Sequence, residues 1–190
     1  GAGDLLGENQ SGKISEIGFN LYHDLLKRTV HAIKNNSKLN LDDSLLKEIE
    51  INTGIACVIP QTYLDDVHER LVFYKRISSA KNDDDLKELK IEMIDRFGIL
   101  PDTINNLFAS TSLRIFSERI GINKINIFDD KAEITLSKNN NIETTKIINL
   151  IQNKPQTYQL KNQNTLIFNT KMEGDHTRIE KVRTLAESLN

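Results

Sequence analysis

Apolar side chains recur at helical spacing at Ile17, Leu21, Leu25, Leu26, Val30 and Ile33, so the pattern predicts a helix over 17–33 that Asn35-Asn36-Ser37 ends. Residues 35–45 read as a polar connector. Ile49 and Ile51 then alternate with Glu50 and Asn52, and the run Ile55-Ala56-Cys57-Val58-Ile59 stops at Pro60. That predicts one extended, half-buried strand. Thr62-x-x-Asp65 fits a capping box for a helix whose stripe is Leu64, Val67, Leu71, Tyr74 and Ile77. Asn82-Asp83-Asp84-Asp85 caps a second helix, expected to bury Leu86, Leu89, Met93, Ile94 and Phe97 and to end at Gly98, with Pro101 just beyond. A third spans about 102–120 and stops at Gly121.

The rhythm then changes. Ile125 and Ile127, a turn at Asp129-Asp130, and Ala132, Ile134 and Leu136 predict a hairpin, followed by a helix near 143–152. A second hairpin uses Tyr158 and Leu160, a turn over 161–164, then Leu166 and Phe168. The last helix is expected to start from a capping box, Thr177-x-x-Glu180, and to bury Ile179, Val182, Leu185, Ala186 and Leu189. The class is therefore α+β: a helical N-terminal half, then two β-hairpins that form an antiparallel sheet packed with helices.

Composition narrows the function. The chain has 190 residues and a net charge of −2, so it lacks the basic footprint of a protein that neutralises many phosphates, which disfavours DNA binding by this chain alone. Residues 1–100 carry 13 basic and 17 acidic side chains, and residues 101–190 carry 12 and 10, so the N-terminal half suits a basic partner. The single cysteine, Cys57, fits a reducing compartment. With no membrane-length apolar run or basic-then-apolar leader, the expected location is cytoplasmic. A start at Gly1 reads as a fragment of a longer chain, and its four glycines in twelve residues read as a loop ending another unit.

Candidate chemistry is sparse. Gly7-x-x-x-x-Gly12-Lys13 matches the glycines and lysine of a phosphate-binding loop, but Ile14 replaces the magnesium-binding hydroxyl and no strand precedes it. The four histidines lack i,i+4 partners and Cys57 has no second cysteine, so no zinc site is expected. Asp83-Asp84-Asp85 is explained by helix capping and the helix dipole. Two features remain. Asp85, Glu88, Glu92 and Asp95 stand at spacings of three, four and three, a ridge of four carboxylates along one helix. Arg70-Leu71-Val72-Phe73-Tyr74-Lys75-Arg76 mixes basic and aromatic residues, with Phe73 expected against a neighbouring helix rather than a base. No catalytic or metal-ligating residue is assigned.

Taken together, these segments resemble the C-terminal end of the bacterial transcription-repair coupling factors (Mfd). Gly1-Ala2-Gly3-Asp4-Leu5-Leu6-Gly7-Glu8-Asn9-Gln10-Ser11-Gly12 is similar to the family's translocation-module loop, which the branch-migration helicase RecG shares, and Ile17-Gly18-Phe19-Asn20-Leu21-Tyr22 continues it. Ile59-Pro60, Tyr63, Asp66-Val67, Arg70-Leu71, Phe73-Tyr74-Lys75-Arg76-Ile77, Ile94-Asp95-Arg96-Phe97-Gly98 and Leu100-Pro101 resemble its C-terminal signature.

The resemblance implies two parts: residues 1–40 as the tail of the translocation module, and residues 41–190 as a C-terminal autoinhibitory domain. It also implies a full-length ATP-dependent DNA translocase, with ATP and magnesium in its motor, that acts on double-stranded DNA, displaces stalled RNA polymerase and recruits UvrA for nucleotide excision repair. The C-terminal domain would mask the UvrA-binding, UvrB-like N-terminal module, and the fragment itself would be neither enzyme nor cofactor carrier. By the same resemblance Gln10 is the glutamine that couples ATP hydrolysis to movement, and Glu92 and Asp95 face basic residues of the N-terminal module. The competing expectation is a stand-alone nucleic-acid-binding module of a helicase-like protein.

Overall fold

A computed structural model of the chain describes residues 49–190. The glycine-rich loop with Gln10, the helix expected over 17–33 and the boundary near residue 40 lie outside the described residues. The order of elements is β1 (Glu50–Asn52), α1 (Val67–Ser78), α2 (Asp83–Phe97), α3 (Asp102–Ile120), β2 (Ile122–Ile127), β3 (Lys131–Leu136), α4 (Thr144–Asn153), β4 (Tyr158–Asn162), β5 (Thr165–Asn169) and α5 (Asp175–Ser188). The class is α+β.

Both hairpins form as the alternation predicts, and they join through antiparallel pairing of β3 with β5. β1 adds a parallel edge strand on β2, giving a mixed sheet of order β1-β2-β3-β5-β4. Ile51, Ile125, Ile134 and Leu166 stand opposite one another across four strands. They form the floor of a core that α3, α4 and α5 cover with Leu113, Phe116, Ile147, Ile179 and Val182. A second core, among α1, α2 and the first half of α3, holds Phe73, Ile77, Leu89, Met93, Ile104 and Leu107. α3 serves both cores, so one 19-residue helix ties the helical half to the sheet.

Several expectations are corrected. The strand ends at Asn52 because Gly54, at φ +69°, turns the chain out of the sheet, and Ile55 to Ile59 run on as an irregular link that buries Cys57 and Ile59 in the helical core. The cap of α1 is Asp66, whose carboxylate accepts from the Glu69 N–H at 2.7 Å, and not Thr62. The Pro60 carbonyl already closes a turn onto the N–H groups of Tyr63 and Leu64, which delays the helix. The apolar stripe of α1 also differs from the expected one: Phe73 is buried while Val67 is 60% exposed. Phe73 meets the Phe97 ring of α2 edge-on at 5.7 Å, as the sequence anticipates for a helix neighbour. Ile94 is exposed rather than buried. α5 starts at Asp175, two residues before Thr177, because Gly174 turns the backbone at φ +78°, and Thr177 makes no cap bond.

Other signals hold at the level of single residues. Asn82 caps α2 by accepting from the Asp85 N–H, and Asp85 in return accepts from the Lys81 N–H, both at 2.8 Å. Gly121 ends α3 in the left-handed conformation, and a Cβ there would lie 2.5 Å from Asn140 Cα. The five apolar residues expected of α5 are all buried.

Candidate partner-binding face

The fold fixes which side of α2 looks outward. Leu86, Leu89 and Met93 are buried against α1 and α3, so the opposite side carries Asp84, Glu88, Ile91 and Asp95 at spacings of three and four. The four carboxylates of the predicted ridge have separate fates. Asp85 is engaged in the cap. Glu92 lies toward α1 and is engaged by Arg76, whose Nη1 donates to Oε1 at 2.8 Å and Nη2 to Oε2 at 2.6 Å, and by Arg96 Nη1 at 3.3 Å. Glu88 and Asp95 are exposed and have no partner among the described residues. Asp83, just inside the helix start, accepts from Ser112 Oγ at 2.5 Å and from Arg183 Nη2 at 3.2 Å, which braces α2 against α3 and α5.

Electrostatics follow these contacts. The fork of hydrogen bonds from Arg76 holds the Glu92 carboxyl below its ordinary range against the opposing desolvation, and Arg96 adds a lesser lowering. Arg76 is raised in return, first by its bonds to Glu92. Both guanidiniums lie over the Phe73 ring, 5.4 and 5.6 Å from its centre, and Arg96 also lies 4.7 Å from that of Phe97 and pairs with Glu69. These charges form a local mat between α1 and α2 at the rim of the outer face.

The structure adds residues that sequence reading passed over. Ile91 is 50% exposed between Glu88 and Asp95, and Ile99, just past the helix, is 92% exposed. Ile91 was findable, because it falls off the stripe of Leu86, Leu89 and Met93. Arg76 was not, since its bond to Glu92 joins residues sixteen apart on different helices. Within the basic-aromatic segment the aromatic residues turn inward while Leu71, Val72, Lys75 and Arg76 stay exposed: Arg70 donates to the Leu64 and Asp65 carbonyls, the Tyr74 hydroxyl accepts from the Ile59 N–H at 2.7 Å, and Phe73 is buried.

Elsewhere, the Cys57 thiol is buried beside Thr53 Oγ1 at 3.6 Å, and burial pushes its pKa up, the opposite of an activated nucleophile. Among the described residues no group of three His, Cys, Asp or Glu side chains is placed to hold a metal ion, and no helix is long and apolar enough to cross a membrane.

The described residues form a two-core α+β unit whose outer helix, α2, is acidic on its outward side. Its fold is that of a solved C-terminal domain of a transcription-repair coupling factor, with a TM-score of 0.65 at 22% identity over 75% of this chain and 91% of that one. The TRCF domain matches residues 53–147, and the chain belongs to that family. The transcription-repair-coupling factor of Escherichia coli K12 is 38% identical over the whole chain, and that of Haemophilus influenzae Rd is 36% identical over the same extent. The Buchnera aphidicola protein from Acyrthosiphon pisum is 32% identical. The chain spans only 16% of the length of the first two relatives and 23% of the third.

Proposed function

We infer that this chain is the C-terminal regulatory domain of a transcription-repair coupling factor, and that its α2 face masks the UvrA-binding module by packing on a basic surface of it. In this reading the full-length protein is an ATP-dependent DNA translocase that displaces stalled RNA polymerase and recruits UvrA, with ATP and magnesium held in a motor outside residues 49–190. Gln10 belongs to the loop that couples the motor to movement. The domain itself is a clamp and turns over no nucleotide.

The observation that carries the reading is the state of α2: Glu88 and Asp95, without a partner among the described residues, stand on either side of a half-exposed Ile91. A carboxylate pair around an apolar centre suits a partner that offers arginines around an apolar contact, because arginine forks bond carboxylates two-fold. Asp95 contributes to such an interface from the outward side and Glu92 from the rim. The test is the affinity of the chain for the separately produced N-terminal, UvrB-like module. Asp95→Asn is expected to cost about 2–5 kcal/mol if the pair is desolvated, and under about 1 kcal/mol if it stays at a wet rim. Absence of binding by the wild-type chain refutes the reading.

A further inference from the structure

We propose that Arg76 tunes the strength of the α2 interface by competing with the partner's cations for the Glu92 carboxylate. The inference rests on the masking role of α2 argued above and concerns how that face is regulated. Glu92 accepts from Arg76 on both oxygens, at 2.8 and 2.6 Å, and from Arg96 on one of them at 3.3 Å. A carboxylate offers about four acceptor sites, so an incoming arginine finds about one left, flanked by two guanidiniums already in place. To engage Glu92 with a fork of its own, the partner has to displace Arg76. Asp95 imposes no such requirement, because no described residue holds it.

The displaced side chain has a place to go. Arg76 is in the last turn of α1, and its side chain is 43% exposed. It lines a groove of about 370 Å³ between α1 and α2 whose walls include Asp66, Glu69, Phe73 and Arg96. A guanidinium turned into this groove keeps the Phe73 face within reach and lies toward the Glu69 carboxylate, which it would share with Arg96. The same charges therefore have two arrangements, closed with Arg76 on Glu92 and open with Glu92 given to the partner. A ligand that engages Glu92 shifts the population to the second. Each association carries the cost of breaking the Arg76 fork, which keeps the interface releasable.

The experiment is a double-mutant cycle on this chain, with affinity for the separately produced N-terminal module read by calorimetry. Arg76→Ala is expected to tighten binding about two- to five-fold, the worth of an exposed ion pair. In a Glu92→Gln background the same change is expected to do nothing. Arg76→Lys keeps the charge without the fork and is expected to fall between; it carries the test if Arg76→Ala fails to fold. An NMR titration of the free chain should show the Glu92 carboxyl rising toward its ordinary range in Arg76→Ala. Asp95→Asn separates the two claims. If Asp95→Asn weakens binding while Arg76→Ala leaves it unchanged or weaker, competition is refuted and masking stands. If Asp95→Asn has no effect, the masking role of α2 falls and competition falls with it.

Discussion

Arg76 and Glu92 bind each other through two hydrogen bonds of 2.8 and 2.6 Å, and this fork, with the Arg96–Glu69 pair beside it, joins α1 to α2 outside their apolar contact. The relationship changes what a charge reversal on α2 means. Lysine at position 92 would stand against Arg76 and Arg96, so it would disturb the α1–α2 junction as well as any partner. No described residue holds Asp95, so substitutions there read the outward face without that side effect.

Acid sensitivity should follow from two glutamates. Glu92 is held below its ordinary range chiefly by Arg76, and Glu133 chiefly by Lys131 and then Lys161. A carboxylate with a depressed folded-state pKa lends stability that is present above the unfolded glutamate range and is lost as pH falls through the folded value. Wild-type stability should decline as the pH drops through and below the ordinary glutamate range. Glu92→Gln and Glu133→Gln should each decline less over that window, as read by urea denaturation at stepped pH.

Gly121 and Gly98 both have positive φ, but their surroundings differ. A Cβ at 121 would meet Asn140 Cα at 2.5 Å, whereas nothing lies within 4 Å of one at 98. Gly98→Ala should cost only the backbone strain, about 1–3 kcal/mol, and Gly121→Ala distinctly more, as compared by denaturant midpoints at equal slope.

Arg183 fastens the C-terminal helix to both cores. It donates to the Ser112 carbonyl at 2.7 Å, to Ser112 Oγ at 2.8 Å and to Asp83 at 3.2 Å, and its guanidinium lies 4.5 Å from the centre of the Phe116 ring. Arg183→Met should destabilise the fold by about 1–3 kcal/mol through the lost charged hydrogen bonds. Ser112→Ala combined with it should add less than its single effect, since the two share partners.

Much of the fold was legible because its signals are local. Asn82 and Gly121 act within a turn of their own helices, and the alternation of Ile125, Ile127, Ala132 and Ile134 encodes a hairpin without reference to the rest of the chain. What escaped depends on distant partners. The parallel pairing of Ile51 with Ile125 spans more than seventy residues, and no local pattern announces it. The stripe of α1 that buries Phe73 and exposes Val67 is decided by Phe97 on another helix. The acidic ridge was visible in the spacing of Asp85, Glu88, Glu92 and Asp95, but its division into capping, paired and open carboxylates required the positions of Lys81, Arg76 and Arg96.

The outward face of α2, with Asp95 beside Ile91, is proposed to hold a basic surface of the UvrA-binding module. The measurement that tests it most directly is the affinity of this chain for that module, wild type against Asp95→Lys, with circular dichroism of both chains to verify folding. Measurable wild-type binding is expected, weakened at least ten-fold by Asp95→Lys with unchanged helix content, since a desolvated carboxylate pair is worth about 2 kcal/mol or more. Equal affinity of two folded chains would contradict it.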